Sequence, residues 1–288
     1  MDQESQAPSR TALLVQQALL YCATRLSTAH LVPDEARATI LEVLRNLPEG
    51  RQAIQELSQR RWLVKAKEWA LLPGATVHHA VRKRWMEQEV ERAIANGATQ
   101  LLVLGAGLDT LGLRLVRRHP SLRVGEVDHP ASHKQKQQAV GAESGLHLMA
   151  CDFSHQRLTE VVGPPFDPAT PTVVVCEGVL PYLSRTETAA LFEDLGGFES
   201  VTLLFTFLAR HSPTGRMPYG PFMRLFAAFK GEPMRMQMSP DEMKEFVSEM
   251  GWTLEEVTHT PALLASTLPA PSYQGPIHDL EAFARAVR

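Results

Sequence analysis

Residues 100–118, QLLVLGAGLDTLGLRLVRR, decide the fold. QLLVL is short and almost wholly apolar, as a strand buried on both faces is. The chain then turns through Gly105-Ala106-Gly107 and enters a helical stretch at LGLRLVRR. A Gly-x-Gly turn between strand and helix lets the backbone approach a ligand closely and aims the helix's first amides at it. Asp109 reads as the cap of that helix, its carboxylate accepting a backbone amide. Taken alone, the turn serves equally as a tight connection that holds nothing.

Outward from this unit the same rhythm continues. LRVGEV (122–127), LHLMA (146–150), TVVVC (172–176) and VTLLFTFL (201–208) read as buried strands. Helix candidates lie between them near 110–118, 130–140, 154–162 and 185–196. Apolar strands alternating with helices predict an α/β fold, a Rossmann-like, doubly wound and mostly parallel sheet with right-handed crossovers. A helix over 240–250 and a strand over 252–258 follow, and the ending HDLEAFARAVR suits either helix or strand. Upstream, residues 11–72 look helical throughout, with a start at Pro33-Asp34-Glu35 and a break at Pro73-Gly74. A further helix from about 77 ends at Asn96-Gly97. The expected organisation is an N-terminal helical cap (1–75), a Rossmann-like core (76–210), a substrate lid insertion (211–240) rich in Pro, Gly, Met and Phe, and a C-terminal part of the core (241–288).

Composition narrows the function. With 288 residues, 44% hydrophobic and 21% charged, the chain is an ordinary globular one, neither a disordered tail nor a rod. Lys and Arg number 29 against 32 Asp and Glu, which disfavours nucleic acid as the partner. Three cysteines with no CxxC pair fit a reducing compartment and a cytoplasmic protein. TALLVQQALLYCA (11–23) is interrupted by Gln16 and Gln17 and falls short of the roughly 20 residues of a membrane span, so it reads as a buried helix. His129 and His133 are four apart beside Asp128, but no further ligand spacing accompanies them and no metal is expected.

Acids follow the ends of the next strands. Asp128 closes strand two, roughly 20 residues after the glycines, where a carboxylate takes the hydroxyls of a ribose. Asp152-Phe153 follow strand three, a carboxylate for an adenine amino group and a ring to pack on the base. Glu177 follows strand four and suits an ammonium group. A nicotinamide site would want a third glycine where Thr110 stands. Ribose, adenine and amine without pyrophosphate describe S-adenosyl-L-methionine, with S-adenosyl-L-homocysteine as its product.

The ordered series GAGLDT with LRL, EVDHP, CDFS, FDPATPTVVVCEGVLPYL and a late GW resembles the leucine carboxyl methyltransferase family, over roughly residues 78–258. The resemblance implies a class I S-adenosylmethionine-dependent fold with extra N-terminal helices and an O-methyltransferase activity. By position it puts the cofactor turn on Gly105, Ala106 and Gly107, the ribose acid on Asp128, the adenine pair on Asp152 and Phe153, and the methionine-end acid on Glu177. It also puts an arginine for the cofactor carboxylate on Arg82, with Arg84 second. The chain departs from bacterial relatives at Thr110-Leu111-Gly112 and at Pro181, and its first helices lack the family's usual start.

Methyl transfer needs in-line alignment and exclusion of water above all. A carboxylate acceptor is already ionised at neutral pH, whereas a hydroxyl gains from a base. Tyr182, just after Glu177, and His211, after strand five, are the expected catalytic residues, with His78 and His79 as further candidates for a base. Arg210 or Arg216 would pair with an acidic substrate, and Met217–Phe229 would form an apolar acceptor pocket. The expected function is methylation of an oxygen, a carboxylate first, on a small-molecule acceptor. The alternatives are a hydroxyl or phenol acceptor, a non-catalytic binding protein of the same fold, and a nicotinamide oxidoreductase. Nothing in the sequence chooses between a monomer and a homodimer.

Overall fold

The computed structural model describes residues 10–71, 73–210, 234–267 and 273–288. Four helices come first: α1 (Arg10–Ala23), α2 (Asp34–Arg45), α3 (Pro48–Gln59) and α4 (Arg61–Leu71). The long α5 (Ala75–Ala95) follows, then β1 (Gln100–Leu104), α6 (Leu111–Arg118), β2 (Arg123–Asp128), α7 (Pro130–Val140), β3 (Leu146–Ala150) and β4 (Thr172–Cys176). The chain continues through α8 (Arg185–Leu195), β5 (Val201–Leu208), α9 (Pro240–Glu249), β6 (Thr253–His259), α10 (Thr260–Thr267) and β7 (Glu281–Val287).

The sheet order is β3-β2-β1-β4-β5-β7-β6, with β7 antiparallel to both of its neighbours. β1 lies at the centre, pairing in parallel with β2 and β4. Its residues alternate between two apolar clusters. Leu101 and Val103 pack with Leu19, Ile40, Leu44 and Met86 on one side, and Leu102 and Leu104 pack with Phe192, Phe205 and Phe246 on the other. Both faces are covered, which is why the strand shows no polar alternation. The leading helices α1 and α2 and the sheet share one core, as Leu19 and Ile40 meet Leu101 within one cluster.

Two expectations needed the tertiary structure to resolve. The ending, open between helix and strand, forms β7. Alanines 282, 284 and 286 face one cluster and Phe283 the other, a two-residue alternation that fits the slot between β5 and β6. The helix expected over 154–162 is instead a loop with a single 3-10 turn at Leu158–Glu160. There the Leu158 amide donates to Asp194 on α8, and Arg157 pairs with the same carboxylate, so side-chain anchors replace the helical ladder. Among the described residues, no helix is long and apolar enough to cross a membrane.

Candidate functional site

The site lies along the carboxyl ends of β1, β2, β3 and β4, where the strand order reverses about β1 and the loops part. Gly105 and Gly107 adopt φ of +67° and +50°, a region that side chains other than glycine rarely enter. Bare backbone matters at both. A Cβ on Gly105 would collide with the Val179 side chain, and one on Gly107 would stand 3.0 Å from Cβ of Ala12 in α1. Ala106 between them is buried.

Asp128 ties this turn to the end of β2: its carboxylate accepts from the amides of Gly107 and His129. Burial raises its pKa, against the pull of those two amides. Asp152 closes a local turn with Ser154, accepting from the amide at 3.0 Å and from the hydroxyl at 2.6 Å. Those bonds, with His129 nearby, lower its pKa despite partial burial. Phe153 packs at the edge of the second apolar cluster.

Asp109 does not occupy the cap position itself. Thr110 does, and Asp109 reaches past it to accept from the amides of Thr110 (2.6 Å) and Leu111 (3.2 Å). Burial opposes its charge, but Lys83, Lys136 and Arg114 lower its pKa to about 2.

A chain of buried charges runs from here across the strand ends. Lys83 Nζ lies 2.8 Å from Asp109 Oδ2 and 2.8 Å from Glu177 Oε1. Arg82 Nε also lies 2.8 Å from Glu177 Oε1, while its Nη1 donates to Glu281 Oε2 at 2.6 Å. His78, wholly buried, bridges Glu281 (2.6 Å) and Thr260 (2.6 Å) through its two ring nitrogens. Against the cost of burial, Arg82 and His78 hold the Glu281 carboxyl well below the usual range. Lys83 is held charged by Asp109 and Glu177 although burial works the other way. Two buried atoms at the centre of this chain have no hydrogen-bond partner among the described residues: Glu177 Oε2 and the Arg82 Nε–H, which faces Oε1 without alignment.

The structure thus gathers Arg82, Gly105, Ala106, Gly107, Asp128 and Glu177 with Asp152 and Phe153 along one edge. Tyr182 sits in a 3-10 turn just beyond Glu177 and interacts electrostatically with Arg82. His211, Arg216 and Met217–Phe229 lie outside the described residues, as does most of the expected lid. Two expectations change. Arg210 pairs with Glu242 at the surface, 2.9 Å away, rather than facing the groove. His78 is locked by Thr260 and Glu281, so neither ring nitrogen is open to a substrate. His79, in contrast, keeps a buried Nδ1 with no partner among the described residues, and burial, with Arg82 beside it, keeps it neutral. His129 caps α7 by accepting from the Ala131 amide. Lys83 and Glu281 escaped the sequence reading. A lysine on a helix carries no motif, and Glu281 stands 199 positions from the arginine it meets.

Comparison with known proteins follows the same outline. A protein of Saccharopolyspora erythraea described as "Putative S-adenosyl-L-methionine-dependent methyltransferase" is 36% identical over 127 residues, 42% of this chain and 44% of that one. One from Bacillus subtilis with the same description is 28% identical over 187 residues, 61% of this chain and 60% of that one. The chain spans about half the length of the curated relatives it matches. Among solved structures, a DUF574 family protein from Streptomyces avermitilis superposes with a TM-score of 0.57 at 17% identity, over 85% of this chain and 95% of that one. A structure titled as a putative methyltransferase from Thermobifida fusca gives 0.54 at 17% identity, over 86% and 93%. These likenesses establish the fold, a Rossmann-like, mostly parallel sheet with flanking helices. The family model for leucine carboxyl methyltransferases matches residues 15–196, beginning within α1, well upstream of the residue-78 start read from the motifs. The chain belongs to the leucine carboxyl methyltransferase family.

Proposed function

We propose that the protein is an S-adenosyl-L-methionine-dependent O-methyltransferase that esterifies a carboxylate on a small-molecule acceptor. The observation that carries the reading is the pair of unpartnered buried atoms, the Arg82 Nε–H and Glu177 Oε2. A buried donor and a buried acceptor left without partners on the two members of one ion pair are costly unless a ligand fills both. An α-amino acid end does so, its carboxylate taking the donor and its ammonium the acceptor. Asp128, between the β2 end and the glycine turn, suits the ribose hydroxyls. Its oxygens each accept one backbone amide and keep lone pairs for more. Asp152 and Phe153 suit the adenine, and Gly105-Ala106-Gly107 let the backbone come close.

Bound there, the cofactor supplies an electrophilic methyl on a cationic sulfur. The chain's own task is to hold the acceptor oxygen in line and to keep water out. A carboxylate acceptor needs no base, consistent with a His78 whose nitrogens are both engaged. Tyr182, beside Arg82 and beyond Glu177, is the described residue best placed to position the acceptor; His211, the other candidate from the sequence, lies outside the described residues. A hydroxyl acceptor has one observation bearing on it: the neutral His79, whose buried Nδ1 has no partner among the described residues.

Incubation with methyl-labelled S-adenosylmethionine and a panel of small carboxylic acids tests the reading. The expected product carries label that mild alkali releases. Label that survives alkali identifies an ether and overturns the ester assignment.

A further inference from the structure

We propose that Lys83 is a second cation of the amino-acid subsite, contacting the ligand's α-carboxylate while it ties Glu177 to Asp109. The proposal rests on the cofactor reading above and adds a residue that the family resemblance does not assign.

Geometry carries the argument. Arg82 is the expected partner of the ligand carboxylate, but it offers only its unaligned Nε–H, since its Nη1 is committed to Glu281 and Glu177 stands against the guanidinium. Its Nη1 donates to Glu281 at 2.6 Å and its Nε lies against Glu177 at 2.8 Å. Lys83 stands on the neighbouring position of α5 and spans the groove, 2.8 Å from Asp109 at the start of α6 and 2.8 Å from Glu177 after β4. An ammonium has three N–H donors. One donates to Asp109, the ammonium faces Glu177 as an ion pair, and a further N–H is available to a ligand lying across the β1 and β4 ends. The Lys83 side chain is 17% exposed against 9% for Arg82, so it is the more accessible of the two cations.

The arrangement also explains why Glu177 leaves one oxygen open. Both cations sit on Oε1, which orients the carboxylate so that Oε2 has no partner among the described residues. Lys83 therefore serves both ends of a zwitterion: it presents Oε2 to the ammonium and a further N–H of its own to the carboxylate. Asp109 fixes the lysine in turn, and the amides of Thr110 and Leu111 fix Asp109.

Calorimetry on the full chain separates this role from simple packing. Three ligands are titrated: S-adenosylhomocysteine, its decarboxylated analogue that keeps the amine, and 5′-methylthioadenosine, which lacks the whole amino-acid end. In Lys83→Met the homocysteine ligand is expected to bind about 10- to 100-fold more weakly, the loss of one charge-assisted bond. Methylthioadenosine is expected to bind within about threefold of wild type, on the order of 0.6 kcal/mol, and the decarboxylated analogue, which still uses Glu177, to weaken by less than S-adenosylhomocysteine does. Unchanged methylthioadenosine affinity also certifies that the variant is folded. Lys83→Arg, which keeps a donor and a charge, is expected to recover most of the loss. Equal weakening of all three ligands, or no weakening of any, overturns the proposal. A wild-type chain that binds none of the three overturns the cofactor reading instead.

Discussion

Replacing Glu281 with glutamine keeps the side chain's volume and removes its charge at a point where two buried partners depend on it. Its Oε2 accepts from His78 Nε2 and from Arg82 Nη1, each at 2.6 Å, and Thr206 bonds the same carboxylate. Removing one member of a buried ion pair costs about 3–5 kcal/mol when its partner is stranded. Arg82 is not wholly stranded, since Glu177 remains 2.8 Å from its Nε and the glutamine still offers an acceptor. We therefore expect a loss of about 2–3 kcal/mol. At about 2 °C per kcal/mol for a chain of this size, Tm should fall by about 4–6 °C.

The pH dependence has a definite sign. Glu281 has a folded-state pKa held below its unfolded value, so its contribution is complete above the ordinary carboxylate range and fades as pH falls through it. The gap between wild type and Glu281→Gln should be full at pH 7 and shrink below about pH 4. Urea titration followed by circular dichroism measures both values. A double-mutant cycle with Arg82→Met should show the pair losing at least about 1 kcal/mol less than the sum of the singles. A Glu281→Gln protein as stable as wild type at pH 7, or strictly additive with Arg82→Met, would refute the account of a coupled charge chain.

Three further outcomes follow from the geometry. His278 is held neutral, its pKa lowered to about 3 by burial and by His78, so protons favour the unfolded chain. Wild type should lose about 2 kcal/mol from this residue between pH 7.5 and pH 5, and His278→Gln should lose correspondingly less across that window, read from chemical denaturation. Asp128→Asn should weaken S-adenosylhomocysteine binding by about 10- to 100-fold and, because the asparagine NH2 cannot accept one of the two amides, lower Tm by about 2–6 °C, and unchanged affinity in calorimetry would remove Asp128 from the site. Cys22, Cys151 and Cys176 are all buried, with burial raising their thiols to about 11, about 11 and about 12. The native protein should react with none of its three thiols when treated with an aromatic disulfide reagent and with all three in denaturant, and rapid native reaction at any of them would contradict the packing.

The unit from β1 to α6 was legible because local chemistry and tertiary role agree there: an apolar strand, two glycines at positive φ and a helix. The same agreement made Asp128 and Glu177 visible, since strand ends in a parallel sheet share one edge. Where a neighbour distant in sequence decides, the reading stopped. The alanines of 281–287 favour a helix locally, and only the slot between β5 and β6 makes them a strand. The stretch 154–162 lost its helix to Asp194, a residue on a different element. Asp109 caps α6 from one position further out than its sequence place suggests. Glu281, His78 and Lys83 form one charge chain with Arg82 and Glu177 that no sequence spacing announces.

The close approach of Ala12 to Gly107 bears on protein engineering. A Cβ at Gly107 would stand 3.0 Å from the Ala12 methyl, so α1 forms one wall of the glycine turn and is more than a distant cover. Chimeras that graft the leading helices of one relative onto the sheet of another must carry this small residue along with the glycine it faces. A graft that brings a bulky side chain to position 12 would press on the loop from outside and distort it, leaving every acid along the strand ends in place.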